Sequence, residues 1–368
     1  MTSDKALSAL TVGGAMIDTI VQIAPERIEQ LTMTNAEARY LLVEAGRKVE
    51  ATSIEQHIGG GAVNAAVAMA RLGARTACLC KLGGDLGARK VLERLDEENV
   101  ATDFVARTGE AATGSSVLIS SHERNAGVFT ARGANTALTA DDLPDAAFAR
   151  DLVYVTGLSD ASADRFPLIL EKARAAGAFV ASNPGIRQLS SRAQPFFENF
   201  ANIDLLSVNR AEAAQLVPGL VGRGCDASGE VPADIDDPEA LIVRGLEAGG
   251  FHMDFRAFVR AVTQAGPRIV LVTDGSRGAW AGTADEIVHC ATVPVEVAGT
   301  VGAGDAFAST FALLAAEGLP LRDALTLATH NAASVIAVVD TQSGLMDRPA
   351  LQDAASGAAP PEIRAWPS

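Results

Sequence analysis

The sequence predicts an α/β fold: a doubly wound, mostly parallel sheet with helices on both faces and a small antiparallel β lid. Three observations carry that expectation. The short runs "LTVGGAM", "TACLCKL", "LVYVTGL", "AFVASN", "DLLSVN" and "RIVLVTDG" are too uniformly apolar for a sheet with one wet face, so each reads as a strand covered on both sides. Amphipathic stretches separate them, and three of these end at a glycine placed for a helix C-cap: Gly73, Gly177 and Gly318. Residues 19–58 and 101–131 instead alternate polar and apolar positions, as in "TGSSVLISS" and "NAGVFTARG", which suits short antiparallel strands and is read as the lid.

In chain order, helices are expected over 62–72, 85–98, 163–176, 210–217, 254–265 and 304–317, the first five between apolar runs and the last after the final one. In such an arrangement ligands bind outside the carboxyl ends of the strands. Residues 1–368 are expected to form a single domain, with the Gly-, Pro- and Asp-rich stretch 218–250 as a surface insertion. No internal repeat is visible.

The composition, 48% hydrophobic and 20% charged, is that of a soluble globular protein able to bury a sizeable core. A formal charge of -15 opposes nucleic-acid and anionic-membrane partners, so any phosphate must be held by local donors. Cys78, Cys80, Cys225 and Cys290 are too scattered for a disulfide framework, and "MTSDKALSALTVGGAMID" has no basic region followed by a long apolar stretch. A reduced, cytoplasmic protein is expected. Cys78 and Cys80 flank one leucine and should pack on one face of a strand. His57, His122, His252, His289 and His330 show no metal-ligand spacing, and neither Gly-x-Gly-x-x-Gly nor Gly-x-Ser-x-Gly occurs at the glycine-rich turns.

One stretch carries chemistry. In "AGTVGAGDAFAST", a turn from Gly299 to Gly304 opens a helix as a phosphate-binding loop does, but Asp305 stands where such a loop carries lysine. Phe307, Phe311 and Leu314 recur at helical spacing, so the helix starts at about Ala303 and leaves its first N–H groups free. A carboxylate beside an anion site can accept the proton of an attacking hydroxyl. An acid in the first turn is also favoured by the helix dipole alone, and the local spacing leaves both roles open.

The company that this turn keeps resembles the ribokinase (PfkB) family of sugar and nucleoside kinases. The resemblance runs from "VGGAMID", through "IGGGAVNAAVAMARLGARTACLCKLGGDLGARKVLERLDEENV", to "GTVGAGDAFASTFALLAAEG", with "GANTALT", "NRAE", "VTDGSRGA" and "HNAASVIAV" between or after them. It implies phosphoryl transfer from ATP to a hydroxyl of a sugar-like acceptor. Asp305 would be the base, and the N–H groups of Gly302, Ala303 and Gly304 the anion hole. Asp18, Gly60, Gly61 and Asn64 match positions that meet the acceptor. Asn209 and Glu212 match an Asn-x-x-Glu element that organises Mg2+ through water, although the same spacing makes a helix capping box. Thr273, Gly275, Asn331 and Ser334 fall in segments lining the nucleotide pocket, and the buried amide of Asn331 needs a partner that an adenine could supply.

A nucleoside kinase is the alternative within enzymes, with Tyr40, Phe104 or Phe129 to stack on a base; a noncatalytic ligand-binding protein is the alternative of another class. The chain also departs from the family. Gly299 stands where several relatives carry an aspartate that helps bind a monovalent cation, and Val301 replaces a hydroxyl residue, so weak or absent potassium activation is expected. Gly61 stands where ribokinases carry lysine. The lid is a candidate surface for a homodimer.

Overall fold

Ser8–Val12 has no wet face: Leu10 and Val12 on one side and Ala9 and Thr11 on the other are all fully buried. In the computed structural model, which describes residues 6–368 except 25–28, 33–38, 43–45, 47, 121–125, 236 and 358–359, this strand lies one place in from the edge of a nine-stranded sheet. The spatial order is Ile363–Pro367, Glu286–Cys290, Ala279–Gly282, Ile269–Thr273, Leu205–Asn209, Phe179–Asn183, Leu152–Thr156, Ser8–Val12 and Arg75–Leu79. The last six are parallel, with Leu10 in register between Ala77 and Val153. All six expected strands are present.

The first three strands of that order run antiparallel and extend the sheet at one edge. They are missing from the sequence reading because "AWAG", "EIVHC" and "IRAWP" are short and fall outside the strand–helix alternation: the first two form a hairpin, and the third returns antiparallel only after helices Ala303–Ala316, Leu321–Ile336 and Arg348–Gly357. The same reading stopped the helix over 210–217 before Pro218, whereas it continues to Gly222 with Val217 and Leu220 buried. Leu241, Ile242, Leu246 and Met253 are buried in the same core, so part of 218–250 packs inward and is not a wholly superficial insertion.

Side chains on the two sheet faces feed two cores. Val153, Val155, Leu206, Val208 and Val270 pack against helices Phe166–Ala175, Arg210–Gly222 and Phe255–Ala265. Leu152, Ala181, Leu205 and Leu271 pack against Gly61–Arg71, Ala303–Ala316 and Leu321–Ile336. The three glycine caps are Schellman turns: Gly73, Gly177 and Gly318 have φ of 92°, 76° and 84°. In each, the following residue's N–H reaches back to close the motif, as in Ala74 to Met69 O at 3.0 Å. Cys78 and Cys80 both lie in one apolar cluster with Ala62 and Ala66.

A second sheet stands over the carboxyl ends of the strands. Its order is Ala126–Ala131, Gly114–Ser120, Met16–Gln22 and Ser53–Gly59. The outer pairs are antiparallel as expected, but the central pair is parallel, because Met16 and Gly114 both leave the main body at the same end. Residues 101–113 contribute no strand to it; Ala106–Arg107 pairs with Lys81–Leu82 instead. Asn135 pins the entry, accepting from Ala15 N and donating to Ala15 O, each at 2.9 Å. Residues 29–32 and 39–42 form a separate hairpin. No helix among the described residues is long and apolar enough to cross a membrane.

Candidate active site

Helix Ala303–Ala316 starts after Gly302, whose φ of 85° is a left-handed conformation that disfavours any side chain. A Cβ there would also lie 2.6 Å from Thr341 Cβ. The turn therefore fits closely against the 338–344 loop, and the helix begins beside a cavity of about 240 Å³. Asp305 is on the wall of that cavity together with Glu212, Arg132, Asn135 and Asn183, at the carboxyl ends of the parallel strands.

Asp305 Oδ2 accepts a hydrogen bond from Asn64 Nδ2 at 2.8 Å. Burial pushes its carboxyl above the ordinary aspartate range, the Asn64 bond pulls it back, and the charge of Asp18 raises it further. Asn64 is 3% exposed, and its amide oxygen is bonded as well as its nitrogen. Its Oδ1 accepts from Thr341 Oγ1 and Gln342 Nε2, each at 3.0 Å, and Gln342 Nε2 gives its second hydrogen to Ile58 O in the lid strand, also at 3.0 Å. The sequence suggests that Asn64 meets the acceptor; in the structure one of its amide hydrogens goes to Asp305.

Asp18 is on the lid face that also carries Ser116 and Thr130, opposite the face that carries Thr19, Val117 and Phe129. It is 8% exposed and accepts from Ser116 Oγ. Burial raises its carboxyl, opposed by the Ser116 bond and by His57, its cross-strand neighbour. Gly59 has no room for a side chain, since a Cβ would come within 2.0 Å of Asp18 Oδ2. Gly60 and Gly61, expected beside the acceptor, both line the cavity.

Asn209 and Glu212 do form the reciprocal capping box, with both bonds at 2.9 Å. The Glu212 carboxylate also accepts from Ile186 N–H, and burial raises its pKa despite these bonds. Thr273 pairs with Asn209 at neighbouring strand ends, and Gly275 opens the following turn. Asn331 corrects an expectation. It is fully buried, and its amide bonds Thr310 Oγ1 at 2.8 Å and Met346 N at 2.9 Å, so the protein itself supplies the partners that an adenine was expected to offer. Ser334 follows one turn later on the same helix.

The aromatic candidates do not converge here. Phe104 packs against the main core under Arg150, Phe129 points to the outer lid face, and the side chain of Tyr40 lies outside the described residues, as does His122. Among the described residues no group of three or more His, Cys, Asp or Glu is gathered as a metal cluster. Sequence reasoning missed Arg132, Asn135, Asn183, Thr341 and Gln342. "GANT" flagged Asn135 only as a resemblance, and "VVDTQSG" has no periodicity that would reveal a loop folding back onto Asn64.

A family model described as pfkB family carbohydrate kinase matches residues 31–220 and 237–348. The chain belongs to the pfkB family of carbohydrate kinases. As a member it is an ATP-dependent carbohydrate kinase, and the short gap in the match falls inside the Gly-, Pro- and Asp-rich segment. A ribokinase of Mus musculus is 28% identical over 291 residues, covering 77% of this kinase and 80% of the relative. The structure of Arabidopsis thaliana ribokinase complexed with ribose and ATP superposes with a TM-score of 0.69 at 20% identity, covering 95% of this chain and 99% of that one. The nucleoside kinase of Methanocaldococcus jannaschii gives 0.70 at 17% identity, covering 96% and 99%. These two likenesses concern the fold, which sugar and nucleoside kinases share.

Proposed function

We propose that this kinase transfers the γ-phosphoryl group of ATP to a hydroxyl of a sugar-like acceptor bound between the lid and the strand ends. The observation that carries the reading is the placement of Asp305: a carboxylate on a cavity wall, in the first turn of a helix, held by Asn64. Asp18 orients acceptor hydroxyls from the lid. Asp305 takes the proton of the attacking hydroxyl, and burial keeps its affinity for that proton high. The N–H groups of Gly302, Ala303 and Gly304 face the developing phosphoryl charge. The lid excludes water, which would compete as acceptor.

Glu212 and Asn209 fit a magnesium role of an indirect kind. Their oxygens are partly used by backbone N–H groups, which suits a cation that keeps most of its water and takes its other ligands from phosphate. Magnesium would neutralise phosphate charge there when bound. Thr273, Gly275 and Ser334 remain the candidate nucleotide contacts. The outer lid face carries exposed apolar side chains, Phe129 at 65% and Ile54 at 66% with Val117 between them, and this supports pairing of two copies.

The test is ADP release from Mg-ATP across sugars, sugar acids, polyols and nucleosides. Acceptor-dependent release with sugar-like compounds is expected. Turnover of nucleosides alone would replace this reading with a nucleoside kinase, for which the inner lid face offers no described aromatic platform. Tight binding of one acceptor without turnover would make the chain a ligand-binding protein.

A further inference from the structure

The cavity beside Asp305 has one cationic side chain among its lining residues, Arg132. It is half-buried, and Nη1 donates to Ser159 Oγ at 2.7 Å. Several other half-buried arginines are matched to acids, Arg71 and Arg94 to Glu98, Arg174 to Asp204, and Arg348 to Glu317, whereas, among the described residues, Arg150, Arg165 and Arg256 are not, so what sets Arg132 apart is its place on the cavity wall. Among the described residues no carboxylate is paired with Arg132. A guanidinium taken partly out of water without a counter-ion is costly, and the one bond to a neutral serine leaves its remaining N–H donors for something else.

We propose that the acceptor is a sugar acid and that Arg132, steadied by Ser159, binds its carboxylate. The proposal rests on the phosphotransfer reading above and deepens it. The walls already carry Asp305 and Glu212, with Asp18 nearby, inside a chain of net charge -15. An anionic acceptor would be repelled from such a site unless one point on the wall attracted it. A single guanidinium matches a carboxylate monoanion, which it grips with parallel N–H bonds. A phosphate dianion would bring a second charge with no second cation among the lining residues to meet it.

The position of Arg132 gives the contact a mechanical role as well. It immediately follows the lid strand Ala126–Ala131 and precedes the turn Gly133–Thr136, while Ser159 follows the body strand Leu152–Thr156. A carboxylate held by both would tie the end of the lid to the body.

The experiment compares matched acceptors that differ in one carbon, hexose with uronate and alditol with aldonate, together with the sugar phosphate. In the wild type the acids are expected to exceed their neutral partners by roughly tenfold or more in kcat/KM. Arg132→Gln should erase that preference by raising the acceptor KM of the acids, with kcat and the KM for ATP nearly unchanged. Ser159→Ala should act in the same direction more weakly, and it carries the test if Arg132→Gln does not fold. Preference for the neutral partners, preference for the phosphate, or a raised KM for ATP in Arg132→Gln would each overturn the proposal. If nothing turns over, calorimetry of the acids with the nucleotide-free protein decides: binding lost in Arg132→Gln sustains the proposal while phosphotransfer fails, and absence of binding ends it.

Discussion

Asn64 and Asp305, 241 positions apart in sequence, meet in a 2.8 Å hydrogen bond between the amide nitrogen and one carboxylate oxygen. The contact joins the first turn of Gly61–Arg71 to the first turn of Ala303–Ala316, so the two glycine-rich segments are registered against each other by the very groups at issue. A first-turn acid favoured only by the helix dipole would need no such partner.

Asp305→Asn keeps size and the Asn64 contact but removes the base. Turnover should fall by roughly a hundredfold to ten-thousandfold, with the KM for ATP nearly unchanged. The same variant should melt higher at neutral pH. Because burial raises the Asp305 carboxyl, the folded chain holds a proton that the unfolded chain has already lost, and stability declines as pH rises from the ordinary aspartate range through the raised pKa. Near-normal turnover, or a lower Tm, would contradict the assignment.

Asn64→Ala tests the positioning role through pH. The Asn64 bond lowers the Asp305 carboxyl, so its loss leaves burial and Asp18 less opposed. The acidic limb of the kcat profile should move to higher pH, with kcat at the plateau down by roughly tenfold. An unshifted limb would mean that Asn64 serves the acceptor instead.

Two neighbouring glycines should behave differently. Gly302→Ala forces a side chain into a left-handed conformation and against Thr341, which is expected to cost about 1–3 kcal/mol of stability, seen in denaturant titration. A Cβ at Gly304 meets nothing within 4 Å. Gly304→Ala should leave Tm unchanged while lowering kcat/KM for ATP, because the added methyl stands where the phosphoryl group is proposed to lie. Equal melting losses in both would remove the distinction.

Potassium should activate weakly or not at all. Gly299 has no carboxylate to offer, and a Cβ there would be 3.0 Å from Val338 O and 3.2 Å from Val339 O, so the backbone closes on the position that an acid occupies in relatives. The comparison is turnover in potassium, sodium and a bulky organic cation at matched ionic strength; a several-fold potassium-specific rise would refute it.

Phe129→Lys should leave the fold intact and shift sedimentation from dimer to monomer, since the side chain is exposed on the outer lid face. A wild-type chain that sediments as a monomer would dispose of lid pairing.

How much of this was legible in the sequence depended on whether the signal was local. The parallel strands announced themselves because burial on both faces demands continuous apolar runs, and Gly73, Gly177 and Gly318 because a left-handed cap has a preferred residue. Asp305, Asp18 and Glu212 were found through motif resemblance. Asn331 misled because a buried amide says that a partner exists and not which one; Thr310 and Met346 come from another helix and a loop. Thr341, Gln342 and Arg132 had no local pattern at all. Their roles arise only when distant segments are folded onto one another.

Strand Ile363–Pro367 pairs along Glu286–Cys290 and is locked there by Trp366, which stacks on Trp280 at 5.7 Å and donates its indole N–H to Asp234 at 3.1 Å. If that strand peels away, Glu286–Cys290 is left with unpaired N–H and C=O groups along one side, a template on which other chains can add as strands. A fusion partner joined by a short linker after Ser368 would pull on this cover. Self-association of such a fusion would then come from the far edge of the sheet, with the phosphoryl-transfer machinery still intact.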